Sequence, residues 1–317
     1  MIFMNAEGIE FIEGLNEEVS KVVIGMENII ELMAIALLSG GHILIEGVPG
    51  VAKTTVAKAF AAAIGLSFSR IQLAPDLMPA DIVGGVYYNE KMREYNVRKG
   101  PIFSNVILAD EINRAMPKTQ SALLEAMQEQ QVTIDKATYP LPKPFLTMAT
   151  MNPIETLGVY DLPEAQLDRF MIKAQVEYLD RDGELLLLRT KADNDINKIN
   201  IVNKIIDDED ILRLMNKVRE VKVSDAVLDY LYEISSRTRN DERVLLGSSP
   251  RALEHLLVAS KSLAFLRGID CVLPDDVKEL ATSVLSHRII IKAEYDLDGF
   301  KGMDLISEIL DEVEVVK

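Results

Sequence analysis

Residues Gly47 to Thr54 read GVPGVAKT, two glycines followed by a Lys-Thr pair. The spacing is that of G-x-x-x-x-G-K-[ST], with Ala52 in place of the last glycine. Gly47 and Gly50 let the backbone turn tightly enough for successive amides to point inward, an arrangement that cradles phosphate oxygens. Lys53 supplies a point charge for the β- and γ-phosphates, and the Thr54 hydroxyl can ligate Mg²⁺. Gly47, Val48, Pro49, Gly50, Val51 and Ala52, with Lys53, Thr54 and Thr55 opening the next helix, therefore form the expected phosphate-binding set. A second constellation follows in NVILADEINRA, where Asp110 ends an apolar run and Glu111 comes next. Asp110 can hold a magnesium ion through its water shell, and Glu111 can polarise an attacking water. A phosphotransferase of this type needs no such water activator, whereas a hydrolase does. No N-K-x-D guanine tetrad occurs, and DIVG (Asp81 to Gly84) lacks a preceding apolar strand, so that match is read as chance. ATP hydrolysis with magnesium is the consistent reading.

Positioning these groups requires particular elements. HILIE (His42–Glu46) is a short apolar run before the glycine-rich turn, and an alanine-rich helix follows the turn up to Gly65. LSFSRIQL, SNVILAD (Ser104–Asp110), FLTMATMN (Phe145–Asn152) and MIKAQVEY (Met171–Tyr178) read as further strands. Helical patterns at Glu27–Leu38 and Thr119–Gln131 lie among them. Strands alternating with helices predict an α/β fold with a parallel sheet covered on both faces. Residues 72 to about 100, rich in Pro and Gly, look like an insertion, and Val132–Leu141 reads as a β-hairpin. After Asp180 strand patterns disappear, and amphipathic helices follow, with Ser224 and Ser249 as N-cap candidates. The expected division is an α/β core over 1–178 and an all-helical part over 179–317.

Composition excludes several classes. The 317 residues carry 34 Lys+Arg against 50 Asp+Glu, a net charge of −16. Cutting at residue 178 leaves 14 basic and 22 acidic residues before it and 20 and 28 after it, so each part carries −8. Neither part is a basic half of the kind that nonspecific nucleic-acid binding uses, and a local basic loop is the one remaining route, so nucleic acid is not the expected partner. Cys271 is the single cysteine, which excludes an internal disulfide framework. The N-terminus lacks a signal-peptide pattern, and apolar runs such as Leu32–Leu38 are far shorter than the ~20 residues of a membrane span. The expectation is a cytoplasmic protein. His42, His255 and His287 show no metal-ligand spacing, and Met33 and Met127 read as core.

In these blocks the chain resembles the AAA+ ATPases and, within them, the MoxR family. The carriers are GVPGVAKT with its alanine variant, RIQLAPDLMPADIVG (Arg70–Gly84), GPIFSNVILADEINRAMPKTQSALLEAMQE (Gly100–Glu129), ATMNPIE (Ala149–Glu155), LPEAQLDRF (Leu162–Phe170) and SPRA (Ser249–Ala252). The resemblance implies a P-loop core with a helical lid. It makes Asn152 the sensor-1 residue that orients the attacking water. Arg169 becomes the arginine finger acting on a neighbouring subunit, with Arg114 as its rival, and Arg251 becomes the sensor-2 arginine. Ile24 and Gly25 fall where the family lines its adenine pocket. The insertion becomes the helix-2 insert and Val132–Leu141 the hairpin before sensor 1, both facing the pore or a partner. The resemblance also implies a homo-oligomeric ring, usually hexameric. It further implies chaperone-like maturation or metal and cofactor insertion in client proteins, often with a von Willebrand A-domain partner. A metal-chelatase-type motor subunit and a slow nucleotide-gated binding scaffold are the alternatives. SHRI (Ser286–Ile289) resembles a late lid signature with no task that the residues reveal. The acidic stretch from Ala293 to Lys317 reads as a packed amphipathic helix.

Overall fold

The computed structural model describes residues 6–48, 50–153, 158–193 and 199–314. Two helices open the chain, α1 (Ala6–Ser20) and α2 (Glu27–Leu38), followed by strand β1 (Ile43–Gly47) and helix α3 (Lys53–Ala63). Strand β2 (Phe68–Gln72), a short helix α4 (Pro79–Val83) and a hairpin of β3 (Gly84–Asn89) and β4 (Glu94–Lys99) come next. After β5 (Val106–Asp110), helix α5 (Pro117–Glu129) leads to a second hairpin, β6 (Gln131–Ile134) and β7 (Ala137–Pro140). Strand β8 (Leu146–Met151), the single turn α6 (Glu164–Leu167) and β9 (Ile172–Val176) complete the α/β part.

The five apolar runs form one parallel sheet in the order β2-β5-β8-β1-β9. Because strand side chains alternate, the two faces draw on different residues. Ile43, Ile45, Val106, Leu108 and Met148 face α1, α2 and α3, while Leu44, Ile107, Ala109 and Ala149 face Leu123, Leu124 and Met127 of α5. All of these are buried, which is why the strands read as nearly continuous apolar runs. With every strand running the same way, the loops carrying chemistry gather at the carboxyl edge.

The C-terminal part contains α7 (Arg181–Asp193), α8 (Asp208–Glu220), α9 (Asp225–Asn240), α10 (Pro250–Leu266), α11 (Pro274–Leu285), α12 (Ala293–Leu297) and α13 (Gly302–Glu312). Ser224 and Ser249 cap α9 and α10 as expected, their hydroxyls accepting from Val227 N at 3.3 Å and Ala252 N at 3.1 Å. One expectation fails: this part is not free of strands. β10 (Val244–Leu246) pairs antiparallel with β11 (Ile290–Ile291), and segments of three and two residues are too short to show a period. Leu305, Ile306 and Ile309 of the acidic terminal segment are buried, so α13 is packed with its charges outward. One apolar core runs without a break from α1 and α2 through one face of the sheet into α8 to α11 and α13. Helix α1 lies so close to α10 that a Cβ on Gly8 would stand 1.9 Å from the Phe265 carbonyl oxygen.

Candidate nucleotide site

The glycine-rich turn leaves β1 at Gly47 and enters α3 at Lys53, as the sequence requires. Gly50 has φ 90° and Ala52 φ 58°, ψ 20°. Left-handed geometry costs an L-residue about 1–2 kcal/mol, so Ala52 is strained where the motif ordinarily has glycine. The Lys53 ammonium donates to the Gly47 carbonyl and reaches the Met151 carbonyl at 3.5 Å, which ties the turn to the end of β8. Pro49 lies outside the described residues.

The adjacent strands bring the carboxylates to this turn. Asp110 is buried, and its carboxylate accepts from Thr150 Oγ1 at 2.6 Å, Thr54 Oγ1 at 3.3 Å and Arg70 Nη2 and Nε at 2.7 and 3.0 Å. Glu111 sits at φ 59°, with its N–H donating to Thr150 Oγ1 at 2.9 Å. Its Oε2 accepts from Gln72 Nε2 at 2.7 Å and lies 3.3 Å from Arg114 Nε. Asn152, directly after β8, is buried at the same edge. Lys53, Thr54, Asp110, Glu111 and Asn152 thus come together. The Thr54 hydroxyl and an Asp110 oxygen stand 3.3 Å apart, the paired hard-oxygen donors that a magnesium ion takes. The Arg70 guanidinium occupies the same Asp110 oxygen and competes for it.

Beside the turn is an apolar pocket lined by Val22, Ile24, Met26, Val51, Tyr178 and Leu179, among others. Ile24 is among the lining residues. Gly25 shapes it from behind: at φ +70° a Cβ there would stand 2.4 Å from Leu179 Cδ2. An apolar cleft next to a phosphate-binding turn suits a purine base.

Arg169 and Arg251 lie elsewhere. The Met171 N–H donates to the His42 carbonyl at 2.9 Å, which sets Arg169 at the amino end of β1. Five strand residues separate that end from the glycine-rich turn, about 16 Å at the strand rise. Arg169 and Arg251 line one cleft with His42, Met127 and His255. The structure therefore gathers the two arginines with each other and not with Lys53 of the same chain. Arg114, the rival, sits on Glu111 of its own site.

Comparison with known proteins gives the family. The profile of the ATPase family associated with various cellular activities (AAA) matches residues 42–172, and that of the AAA lid domain matches 236–309. The chain is 43% identical to the uncharacterized protein YeaC of Bacillus subtilis over 94% of its own length and 93% of that protein's. It is 41% identical to chaperone MoxR1 of Mycobacterium tuberculosis, over 93% of this chain and 80% of the relative. The chain belongs to the MoxR family of AAA+ ATPases. The crystal structure of a putative ATPase from Cytophaga hutchinsonii superposes with a TM-score of 0.90 at 42% identity, covering 98% of this chain and 97% of that one.

For a MoxR-type chain the membership implies nucleotide binding, and the site contains residues that the sequence does not single out. Arg70, Gln72 and Thr150 contact the two carboxylates, and Val22, Met26, Tyr178 and Leu179 line the pocket. The signal for the first pair was present: Arg70 and Gln72 alternate along β2, and Gln72 is in register with Asp110. Among the described residues no helix is long and apolar enough to cross a membrane.

Proposed function

We propose that the chain is a cytoplasmic Mg-ATP hydrolase that works in a homo-oligomeric ring, hexameric in the simplest case, and drives chaperone-like maturation of client proteins. The observation that carries this reading is the separation of the two arginines from the phosphate-binding turn. Phosphoryl transfer is catalysed by positioned charge, and a trans-acting arginine is worth several orders of magnitude in rate. Arg169 and Arg251, at the amino edge of the sheet, suit the site of the next subunit. A head-to-tail interface of that kind closes into a ring by rotation.

The residues divide the work as follows. The backbone amides of the turn and Lys53 bind the phosphates. Thr54 and Asp110 would hold a magnesium ion, which would supply charge neutralisation at the phosphates. Glu111 accepts the proton of the attacking water, and Asn152 orients that water. The neighbour's Arg169 and Arg251 offset the charge that develops on the transferred group.

The hairpin of β3 and β4 favours a protein client. Tyr87, Tyr88, Met92 and Tyr95 are exposed on it, Tyr95 at 76%. Aromatic and methionine side chains clustered on an exposed projection fit a polypeptide surface. A von Willebrand A-domain protein is the partner to try first, and metal or cofactor insertion in the client is the process to assay. The test of the core proposal is subunit mixing. Arg169→Ala subunits combined with Lys53→Ala subunits should regain ATP turnover, since each supplies what the other lacks. Co-assembly without turnover would refute the trans arrangement.

A further inference from the structure

Ser286–Ile289, left without a task by the sequence, forms a buried polar junction. Arg288 is 4% exposed, and its Nη2 donates to the Phe170 carbonyl at 2.6 Å, to His255 Nδ1 at 2.6 Å and to the Asp168 carbonyl at 3.3 Å. Its Nε lies 3.5 Å from Asp168 Oδ1. His287 Nε2 meets the same Phe170 carbonyl at 3.1 Å. Asp168 in turn accepts from Ser249 Oγ at 3.2 Å and pairs with Arg251 Nη1 at 3.5 Å. One arginine thus clasps the segment carrying Arg169 from the residues on either side of it, 168 and 170. It also grips α10 at His255, one helical turn beyond Arg251.

As a plain fastening this would be a costly choice. Burial pushes the Arg288 guanidinium down to about 10 and His255 to about 3, the latter because burial and the Arg288 charge both oppose its protonation. Arg288 Nη1 and His287 Nδ1 are buried with no hydrogen-bond partner among the described residues. An apolar contact would join two elements at lower cost, since buried ion pairs are weak sources of stability. What a guanidinium adds is fixed direction: a planar fork whose donors hold three elements at set angles. Arg169, half-buried, and Arg251, exposed, stand at the two places that it fixes.

We propose that Arg288, through Asp168, Phe170 and His255, is the positioning residue that aims Arg169 and Arg251 as one rigid pair at the neighbouring subunit's phosphates. The inference rests on the trans arrangement proposed above. Arg288 lies at the amino edge of the sheet, remote from its own subunit's phosphate turn. Its loss therefore damages the neighbour's site and leaves its own site intact.

The experiment compares three preparations of the full chain. A ring of Arg288→Met subunits should bind a fluorescent ATP analogue as the wild type does, while its turnover falls about tenfold or more, part of what a trans arginine supplies. Mixed in equal amounts with Lys53→Ala subunits, which carry an intact arginine pair, it should recover to about a quarter of wild-type turnover for independent head-to-tail sites. The parallel mixture of Arg169→Ala with Lys53→Ala sets the reference. Recovery in both mixtures supports the assignment. Recovery with Arg169→Ala but not with co-assembled Arg288→Met overturns the positioning role alone, as does wild-type turnover of the pure Arg288→Met ring. Failure of both mixtures, with co-assembly shown, overturns the trans arrangement and this inference with it. Should Arg288→Met not fold, Asp168→Asn, which keeps the shape and removes the charge, carries the test under the same criteria.

Discussion

The carboxylate that should activate water is held aside, and releasing it should speed the enzyme. Glu111 Oε2 accepts from Gln72 Nε2 at 2.7 Å, with Arg114 Nε at 3.3 Å on the same oxygen. To take a proton from water beside the phosphates, that oxygen must leave Gln72. Gln72→Ala removes the stronger of the two restraints. A hydrogen bond to a charged group contributes about 1.5–3 kcal/mol when shielded, but Gln72 is exposed and water can replace it, which leaves about 0.5–1 kcal/mol. At about 1.4 kcal/mol per tenfold, basal kcat should rise about two- to fivefold. Nucleotide affinity should hold, because Gln72 lies off the phosphate-binding turn. Steady-state phosphate release at saturating ATP reads the first quantity, and titration with a fluorescent ATP analogue the second. A fall in kcat with unchanged affinity and melting temperature would refute the reasoning, since Gln72 would then be holding Glu111 in its working position.

Three further outcomes are expected. Glu111→Gln should keep ATP binding and lower phosphate release by about a hundredfold or more; near-normal release would remove Glu111 from the role of base. Gly25→Ala places a methyl at φ +70° against Leu179, which adds about 1–2 kcal/mol of backbone strain and crowds the adenine pocket. Its ATP affinity should drop about tenfold in the same titration, and an unchanged affinity would dissociate Gly25 from the pocket. Burial holds His42 near 4 and His255 near 3 and keeps His287 well below its ordinary value. The unfolded chain, with histidines near 6.5, therefore takes up protons first as the pH falls. The stability from these groups is full above pH ~6.5 and shrinks toward pH ~4, by up to about 1.4 kcal/mol per unit for each histidine. Thermal melts across that range read it, and a stability that is flat or rises on acidification would contradict the burial argument.

The sheet was legible because its three central strands, β5, β8 and β1, are buried almost throughout and so appear as apolar runs, while β9 alternates and β2 buries only Ile71. The phosphate-binding turn was legible because its chemistry is local: eight consecutive residues contain it. What escaped depends on pairing across strands or between distant segments. Arg70 meets Asp110 only through the register of β2 on β5, and Arg288 meets Phe170 across 118 positions of chain. The amino-edge placement of Arg169 was latent in the order of elements, since LDRF precedes a parallel strand while the glycine-rich turn follows one. That of Arg251 was not, because it depends on how α10 docks. The β3–β4 hairpin was seen only as an insertion, its exposed tyrosines belonging to no apolar face.

The unbroken core has a consequence for how such a molecule moves. Helices α1 and α2 are first in the chain, yet their apolar side chains sit in the same cluster as those of α8 to α11 and α13, and Gly8 lets α1 touch the α10 backbone. A hinge between the two parts would have to open that cluster to water. Flexing between the two parts of one chain is therefore the expensive motion, and in the proposed ring rotation of whole subunits against one another the cheap one. Each chain should melt as a single cooperative unit, and in that ring nucleotide state should register as a change in angle between rigid neighbours.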